Sequence, residues 1–221
     1  MADCRFIFFD VGNTLLFPNR ARMLAPLPAE KHPTLQEWQA LERRTKKEFD
    51  QGLTSGKVDH GFWWTFHTYL LKEKNAFDGG VRDVLVENTQ QSANWDQILP
   101  GTREALERIR GEYAIAVISN ADGRIDAVLA RCGICDCFAS ITDSGNVGHE
   151  KPHPAIFTAA LQTMKADPAK SLYVGDVYSV DYVGARNAGM NAVLFDVAGA
   201  YRDSGHPRVE SLEELESWLA R

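Results

Sequence analysis

Near the N-terminus, residues 5–16 read RFIFFDVGNTLL, a run that changes halfway from apolar to turn-forming residues. The apolar start, followed by the Gly12-Asn13 turn signal, predicts a buried strand. The strand ends in Asp10, and a carboxylate at the end of a buried strand is costly unless something compensates its charge. In an open parallel sheet that edge is also where ligands bind. Asp10 is therefore either a site residue or a cap of the following turn.

Composition places the chain among ordinary globular proteins. It has 221 residues, of which 44% are hydrophobic and 24% charged, enough for one sizeable core and a smaller second unit. The net charge of -6 gives a nucleic-acid partner no electrostatic support. No segment reaches the roughly 18 apolar residues of a membrane span. Because residues 1–5 lead straight into the strand, we expect no signal peptide and a cytoplasmic location. We also expect a monomer or homodimer.

Three of the four cysteines form a tight cluster, Cys132, Cys135 and Cys137. A zinc site normally needs four ligands, and no second Cys/His pair follows at finger spacing. The sequence therefore favours reduced thiols at a helix end and the start of a strand.

The next convincing strand, 114–118, follows Asp10 only after about a hundred residues, although a crossover between parallel strands needs only a dozen or more. The intervening stretch contains several prolines and then helical spacing over 34–49, 60–71 and 81–92. We therefore predict an inserted helical cap at 20–96, and a core formed by 1–19 and 97–221.

From Pro100 onward, strands and helices alternate, which predicts an α/β fold with a doubly wound, Rossmann-like parallel sheet. Thr102 is a plausible N-cap of the first of these helices. The predicted strands cover 114–118, 138–142, 171–174 and 191–196, and the predicted helices cover 100–109, 125–132, 154–164, 179–188 and 212–219.

Polar residues follow the predicted strands at one edge of the sheet. Three carboxylates meeting there repel one another unless a cation or a lysine offsets their charge, and hard oxygen ligands suit Mg²⁺. Hydroxyl, amide, ammonium and backbone N–H groups are the donors that a phosphate needs. The residues in question are Asp10, Ser119, Asn120, Lys151, Asp176 and Asp181.

At these residues the chain resembles the haloacid dehalogenase-like hydrolase superfamily. Its four motifs are similar, in order, to residues 10–14 (DVGNT), Ser119-Asn120, Lys151-Pro152, and Gly175-Asp176 with Asp181. The helical insertion after the first motif resembles a type-1 cap.

The resemblance implies a Mg²⁺-dependent phosphatase acting on a small phosphorylated metabolite. Asp10 would be the nucleophile that forms an aspartyl-phosphate, and Lys151 would offset charge. Asp10, the Gly12 carbonyl, Asp176 and Asp181 would hold Mg²⁺. Binding of the phosphoryl group would involve Ser119, Asn120, Lys151, Gly12 and Asn13.

One position departs from the family. Phosphatases of this family usually carry a second Asp at position 12 as general acid/base, and here it is Gly12. Such a group is typically worth ~10²–10⁴-fold in rate. The departure leaves three possibilities open. Turnover is slow, another residue such as His149 acts as the base, or the chain is a catalytically impaired regulatory or binding protein for a phosphorylated ligand.

A phosphonatase-like C–P hydrolase is a further alternative, since that branch has a small residue at position 12 and uses a cap lysine. Lys46, Lys47 and Lys57 are the lysines to consider, although helical spacing favours a solvated face for them. Family dehalogenases work without metal, so Asp176 and Asp181 argue against that activity. In the aromatic run 62–69, most side chains are expected in the cap core, with Trp64 and His67 as candidates to face a cleft.

Overall fold

The computed structural model describes residues 3–54 and 61–221. Six parallel strands form one sheet in the order β3-β2-β1-β4-β5-β6. This confirms the predicted α/β class. The strands are β1 (Phe6–Phe9), β2 (Ala114–Ser119), β3 (Ser140–Asp143), β4 (Ser171–Gly175), β5 (Asn191–Phe195) and β6 (Arg208–Val209).

Helices lie on both faces of the sheet and in the insertion. They are α1 (Arg20–Met23), α2 (Leu35–Thr54), α3 (Phe62–Glu73), α4 (Gly79–Gln90), α5 (Thr102–Arg110), α6 (Ile125–Arg131), α7 (Ser144–Val147), α8 (Pro154–Met164), α9 (Val183–Asn187) and α10 (Leu212–Leu219). The first four lie between β1 and β2, where the cap was predicted. The exact division at 20–96 stays a prediction.

Alternation along β1 builds two apolar layers, because successive side chains of a strand point to opposite faces. Ile7 and Phe9 pack on one side with residues of α5, α6 and α10. Phe8 packs on the other side with residues of α8 and α9. A third cluster, which includes Trp38, Phe66 and Leu85, belongs to the helical insertion. Helices thus cover both faces of the sheet, which leaves the carboxyl ends of the strands available for a functional site.

Several predicted boundaries differ from the structure. Helix α2 continues to Thr54, beyond the predicted end at residue 49. Thr102 is the first residue of α5 rather than its N-cap, and Gly101 caps the helix with a left-handed φ of 81°. The predicted helix 179–188 begins as a π-helical turn, Tyr178–Tyr182. The short strand β6 was not predicted. The predicted helix start at His60 lies outside the described residues.

The four cysteines are Cys4, Cys132, Cys135 and Cys137. All four are free thiols, and Cys135–Cys137 forms a 3₁₀ turn between α6 and β3. Among residues 3–54 and 61–221, the group of side chains able to hold a metal is a set of aspartates elsewhere in the fold.

Candidate active site

Three buried carboxylates meet where β1 and β4 end. Asp10 follows β1, and its N–H donates to Val174 of the neighbouring β4 at 2.8 Å. Asp176 follows β4 directly, and one oxygen each from Asp10, Asp176 and Asp181 lie within 4.8 Å of one another. The strand order reverses direction between β1 and β4, which is where α/β sheets bind ligands.

Asp181 reaches this cluster by folding back from the π-helical turn. Its Oδ2 accepts the N–H of Val177 at 2.9 Å. A Cβ at Gly175 would lie 2.6 Å from the Asp181 Cγ, so only a glycine allows this approach. The Gly175-Asp176 motif therefore serves both to present Asp176 and to admit Asp181.

Lys151 is the buried cation of the cluster. Its Nζ donates to Asp10 Oδ1 at 2.6 Å, to Asp181 Oδ1 at 2.8 Å and to the Tyr173 hydroxyl at 2.8 Å. The side-chain amide of Asn120 holds the Lys151 backbone in place. Its oxygen accepts the Lys151 N–H at 2.7 Å, and its nitrogen donates to the Lys151 carbonyl at 3.0 Å. The structure thus places Asn120 as a support for Lys151, and its amide is already engaged where a phosphoryl contact was expected.

Ser119 and Asn13 lie beside the carboxylates. Ser119 is the last residue of β2, is buried and lines the cleft together with Asp10. Asn13 has a left-handed φ of 53°, a conformation that Asn tolerates better than most residues. Its Nδ2 lies 3.4 Å from Asp176 Oδ2.

The structure adds a second buried cation, Lys46 of α2. Its Nζ lies 2.9 Å from Asp176 Oδ2 and 2.9 Å from Glu42 Oε1, and its side chain is 1% exposed. The expected solvated position of Lys46 is therefore wrong, whereas its neighbour Lys47 is exposed as expected. Lys57 lies outside the described residues.

The electrostatics of the cluster follow from burial and crowding. Burial raises the pKa of Asp10 to about 7, with Lys151 opposing the shift and the neighbouring aspartates adding to it. Burial likewise raises the pKa of Asp176 to about 6, against the lowering effect of Lys46. Burial lowers the pKa of Lys151, but Asp10 and Asp181 more than reverse this and hold it well above its usual value.

This donor set fits a divalent cation. Four carboxylates, counting Glu42, surround two ammonium groups, so the buried set keeps two uncompensated negative charges when all groups are ionised. Hard carboxylate oxygens are the ligands that Mg²⁺ prefers. A bound cation would lower the carboxylate pKa values again and remove the cost of their burial.

Gly12 faces an aromatic ring. A Cβ added at Gly12 would lie 3.4 Å from Cζ3 of Trp95, an ordinary contact distance. The Trp95 Nε1 donates to the carbonyl of Thr89 at 2.8 Å, which holds the indole in place. Trp95 was not among the site residues expected from the sequence, because nothing in its local pattern indicates that it lies against residue 12.

The carboxylates open into a cleft of about 560 Å³. Phe62, Trp63 and Trp64 line it, so more of the aromatic run faces the cleft than expected. His67 does not: it is fully buried, its Nε2 lies 2.8 Å from Thr89 Oγ1, and burial lowers its pKa to about 3. His149 is exposed and stacks on His153 at 4.2 Å.

A family model described as haloacid dehalogenase-like hydrolase matches residues 4–189. The chain belongs to the haloacid dehalogenase-like hydrolases. The family and the hydrolase class indicated by the four strand-end motifs are thereby confirmed. The individual residue assignments stay predictions.

Curated relatives of this hydrolase span most of its length. It is 32% identical over 216 residues to haloacid dehalogenase-like hydrolase domain-containing protein 3 of Bos taurus, covering 88% of this chain and 82% of the relative. It is 28% identical over 227 residues to pyrimidine 5'-nucleotidase YjjG of Escherichia coli, covering 98% of each.

Among solved structures, the HAD-hydrolase YfnB of Bacillus subtilis, determined with bound magnesium, superimposes with a TM-score of 0.73 at 18% identity over 99% of each chain. At this identity the likeness concerns the fold. Among the described residues of the present hydrolase, no helix has the length and apolar character to cross a membrane.

Proposed function

We propose that this hydrolase is a Mg²⁺-dependent phosphatase that cleaves a small phosphorylated metabolite through an aspartyl-phosphate on Asp10. The observation that carries the proposal is the 2.6 Å contact between Lys151 Nζ and Asp10 Oδ1 within the buried aspartate cluster. This contact holds the Oδ1 atom of Asp10, and in the proposal Oδ2 is the attacking atom. In this proposal, residues 20–96 form the cap over the cleft.

Two bonds change in each half of the reaction. First, the free oxygen of Asp10 bonds to phosphorus while the ester bond to the leaving oxygen breaks, and that oxygen takes a proton from solvent. Then the oxygen of a water molecule bonds to phosphorus while the bond between phosphorus and Asp10 breaks, so that phosphate leaves, the Asp10 carboxylate is restored and a proton of the water passes to solvent. Lys151 and Ser119 stabilise the charge on the phosphoryl oxygens throughout.

Asp10, Asp176, Asp181 and the Gly12 carbonyl would hold the metal. When bound, Mg²⁺ supplies positive charge to the transferring phosphoryl group. The name of the Escherichia coli relative, a nucleotidase, supports a phosphate ester as substrate.

Particular residues bear on two alternatives to this proposed function. Gly12 with Trp95 beside it supports a protein that binds a phosphorylated ligand and turns it over poorly. A phosphonatase-like reaction has less support, because the ammonium of Lys46 is paired with two carboxylates rather than presented to the cleft.

A phosphate-release screen tests the proposal. Phosphate esters and phosphonates are assayed with and without Mg²⁺, using wild type and Asp176→Ala. We expect Mg²⁺-dependent release from esters, and a Mg²⁺-induced rise in Tm that Asp176→Ala abolishes. Release from phosphonates alone, or an equal Tm response in the variant, would contradict the proposal.

A further inference from the structure

One side of the cleft is an aromatic wall formed by Phe49, Phe62, Trp63 and Trp95, all of which line it. Each ring meets the next edge-on. The ring centroids lie 5.7 Å apart for Phe49 and Phe62, 4.9 Å for Phe62 and Trp63, and 5.4 Å for Trp63 and Trp95. Edge-to-face contacts of this kind hold the rings in fixed positions.

The aromatic wall begins beside the reacting centre. Trp95 is the residue that would contact a Cβ at Gly12, two positions after Asp10. A phosphate ester with its phosphorus at Asp10 therefore has this wall within reach of its leaving group.

The part of the cleft lining that the structure describes offers little positive charge. Among the described residues that line the cleft, Lys151 is the single Lys or Arg, and it is paired with Asp10 and Asp181. Asp122 and Glu150 also line the cleft and are exposed. Asp122 already accepts the Ser92 N–H at 3.2 Å and the Ser92 hydroxyl at 2.6 Å. The negative charge of Asp122 and Glu150 disfavours a second phosphate, and further lone pairs of their carboxylates can accept hydrogen bonds from hydroxyl or amino groups of a ligand.

We propose that the substrate is a monophosphate ester whose leaving group carries a flat aromatic ring, with nucleoside 5'-monophosphates as the metabolite class. The base packs on the aromatic wall, and the sugar hydroxyl or base amino groups donate to the acidic side chains. Packing of a base on an aromatic side chain is sequence-tolerant and substantial. This inference rests on the proposed function, and its test separates the two.

The test compares uridine 5'-monophosphate with ribose 5-phosphate, which carries an anomeric hydroxyl in place of the base. We expect kcat/KM to favour the nucleotide by roughly tenfold or more. Trp63→Leu should bring the ratio toward one, while Phe77→Leu, an exposed cap aromatic, should preserve it. Equal kcat/KM values in wild type, or a ratio unchanged by Trp63→Leu, would overturn the inference and leave the phosphatase assignment standing.

A binding measurement covers the case of no turnover. Both compounds are titrated into Asp10→Asn and followed by tryptophan fluorescence. Tighter binding of the nucleotide supports the substrate class even if the proposed function fails. Equal affinities would overturn it.

A separate observation concerns Lys46 and the docking of α2. Besides the contacts of Lys46, Asp50 of α2 accepts the Ser179 N–H at 2.9 Å and the Tyr201 hydroxyl at 2.9 Å. Arg43 donates to the carbonyl of Ala198 at 2.9 Å. One face of α2 is thereby fixed to the core, and this holds the Lys46 ammonium against Asp176.

We infer that Lys46 is a positioning residue that couples α2 docking to metal loading. The Lys46 ammonium neutralises part of the charge of Asp176 and repels a Mg²⁺ ion at the same cluster. The Glu42 carboxylate offsets part of the ammonium charge and so weakens this repulsion. Metal binding and α2 docking therefore oppose each other, and linkage makes the effect reciprocal.

Calorimetric titration of Mg²⁺ alone, without substrate, tests this coupling. Lys46→Met should tighten Mg²⁺ binding by roughly tenfold, and Glu42→Gln should weaken it, since Lys46 then pairs with Asp176 alone. Lys47→Met, the exposed neighbour, is the control and should bind as wild type does. Glu42→Gln decides the matter if Lys46→Met does not fold. Unchanged or weaker binding in Lys46→Met, or unchanged or tighter binding in Glu42→Gln, would overturn the inference.

Discussion

At the scale of single residues, Gly12 occupies the position where the family resemblance predicts a second Asp. A Cβ added at Gly12 would lie 3.4 Å from Trp95, an ordinary contact distance, so position 12 has room for the first atom of a side chain. We expect Gly12→Asp to raise kcat on alkyl phosphates, by up to ~10²–10⁴-fold if the carboxylate acts as acid/base. Gly12→Asn is the matched control, with the same shape and no carboxylate. Equal kcat values for the two variants would show that a carboxylate at position 12 does not act as the general acid/base.

The raised pKa of Asp10 has a consequence for stability without metal. Because the folded value of about 7 lies above the usual 3.8, the folded state keeps its proton while the unfolded state loses it. Stability should therefore fall as pH rises from about 4 to 7 and level off above that range. In EDTA, the stability advantage of Asp10→Asn over wild type should grow across this window in denaturant titrations. A gap that is constant with pH would contradict the assignment of the shift to Asp10.

The sequence could predict the convergence of Asp10, Ser119, Lys151, Asp176 and Asp181, because residues that follow parallel strands meet at one edge. It could not predict Lys46, Glu42 or Trp95. Their positions depend on how the insertion docks onto the core, and local periodicity does not encode that docking.

At the scale of elements, α2 has two buried faces rather than one. Trp38 and Leu41 pack in the insertion, whereas Lys46 and Asp50 meet the core. A pattern with one apolar stripe predicts the first face only, since charged residues are normally assigned to water.

Removing the Tyr201 hydroxyl tests how much the core-facing side of α2 contributes to stability. This hydroxyl donates to Asp50 and accepts the Tyr178 N–H at 3.0 Å, so Tyr201→Phe removes one of the contacts of the Asp50 carboxylate and the acceptor of the Tyr178 N–H. We expect a loss of about 1–3 kcal/mol in the free energy of unfolding and faster amide exchange in α2. Tyr69→Phe, at a more exposed tyrosine of the insertion, should cost less than about 0.5 kcal/mol. Equal effects would show that α2 docking does not depend on this contact.

At the scale of the whole molecule, regular alternation of strands and helices made the α/β class predictable. The long gap after β1 indicated the insertion for the same reason. Strand β6 escaped prediction because two residues, Arg208 and Val209, carry no readable periodicity. They become a strand only by pairing with β5.

The proposed function depends on Asp10 acting as the nucleophile, and trapping the covalent intermediate tests this directly. Wild type and Asp10→Asn are mixed with a substrate and Mg²⁺, quenched in acid within one turnover, digested and analysed by mass spectrometry. We predict a phosphoryl group on the Asp10 peptide of wild type and none in the variant, which should also release no phosphate. Phosphate release by Asp10→Asn at the wild-type rate, or a phosphoryl group on another residue, would contradict the account.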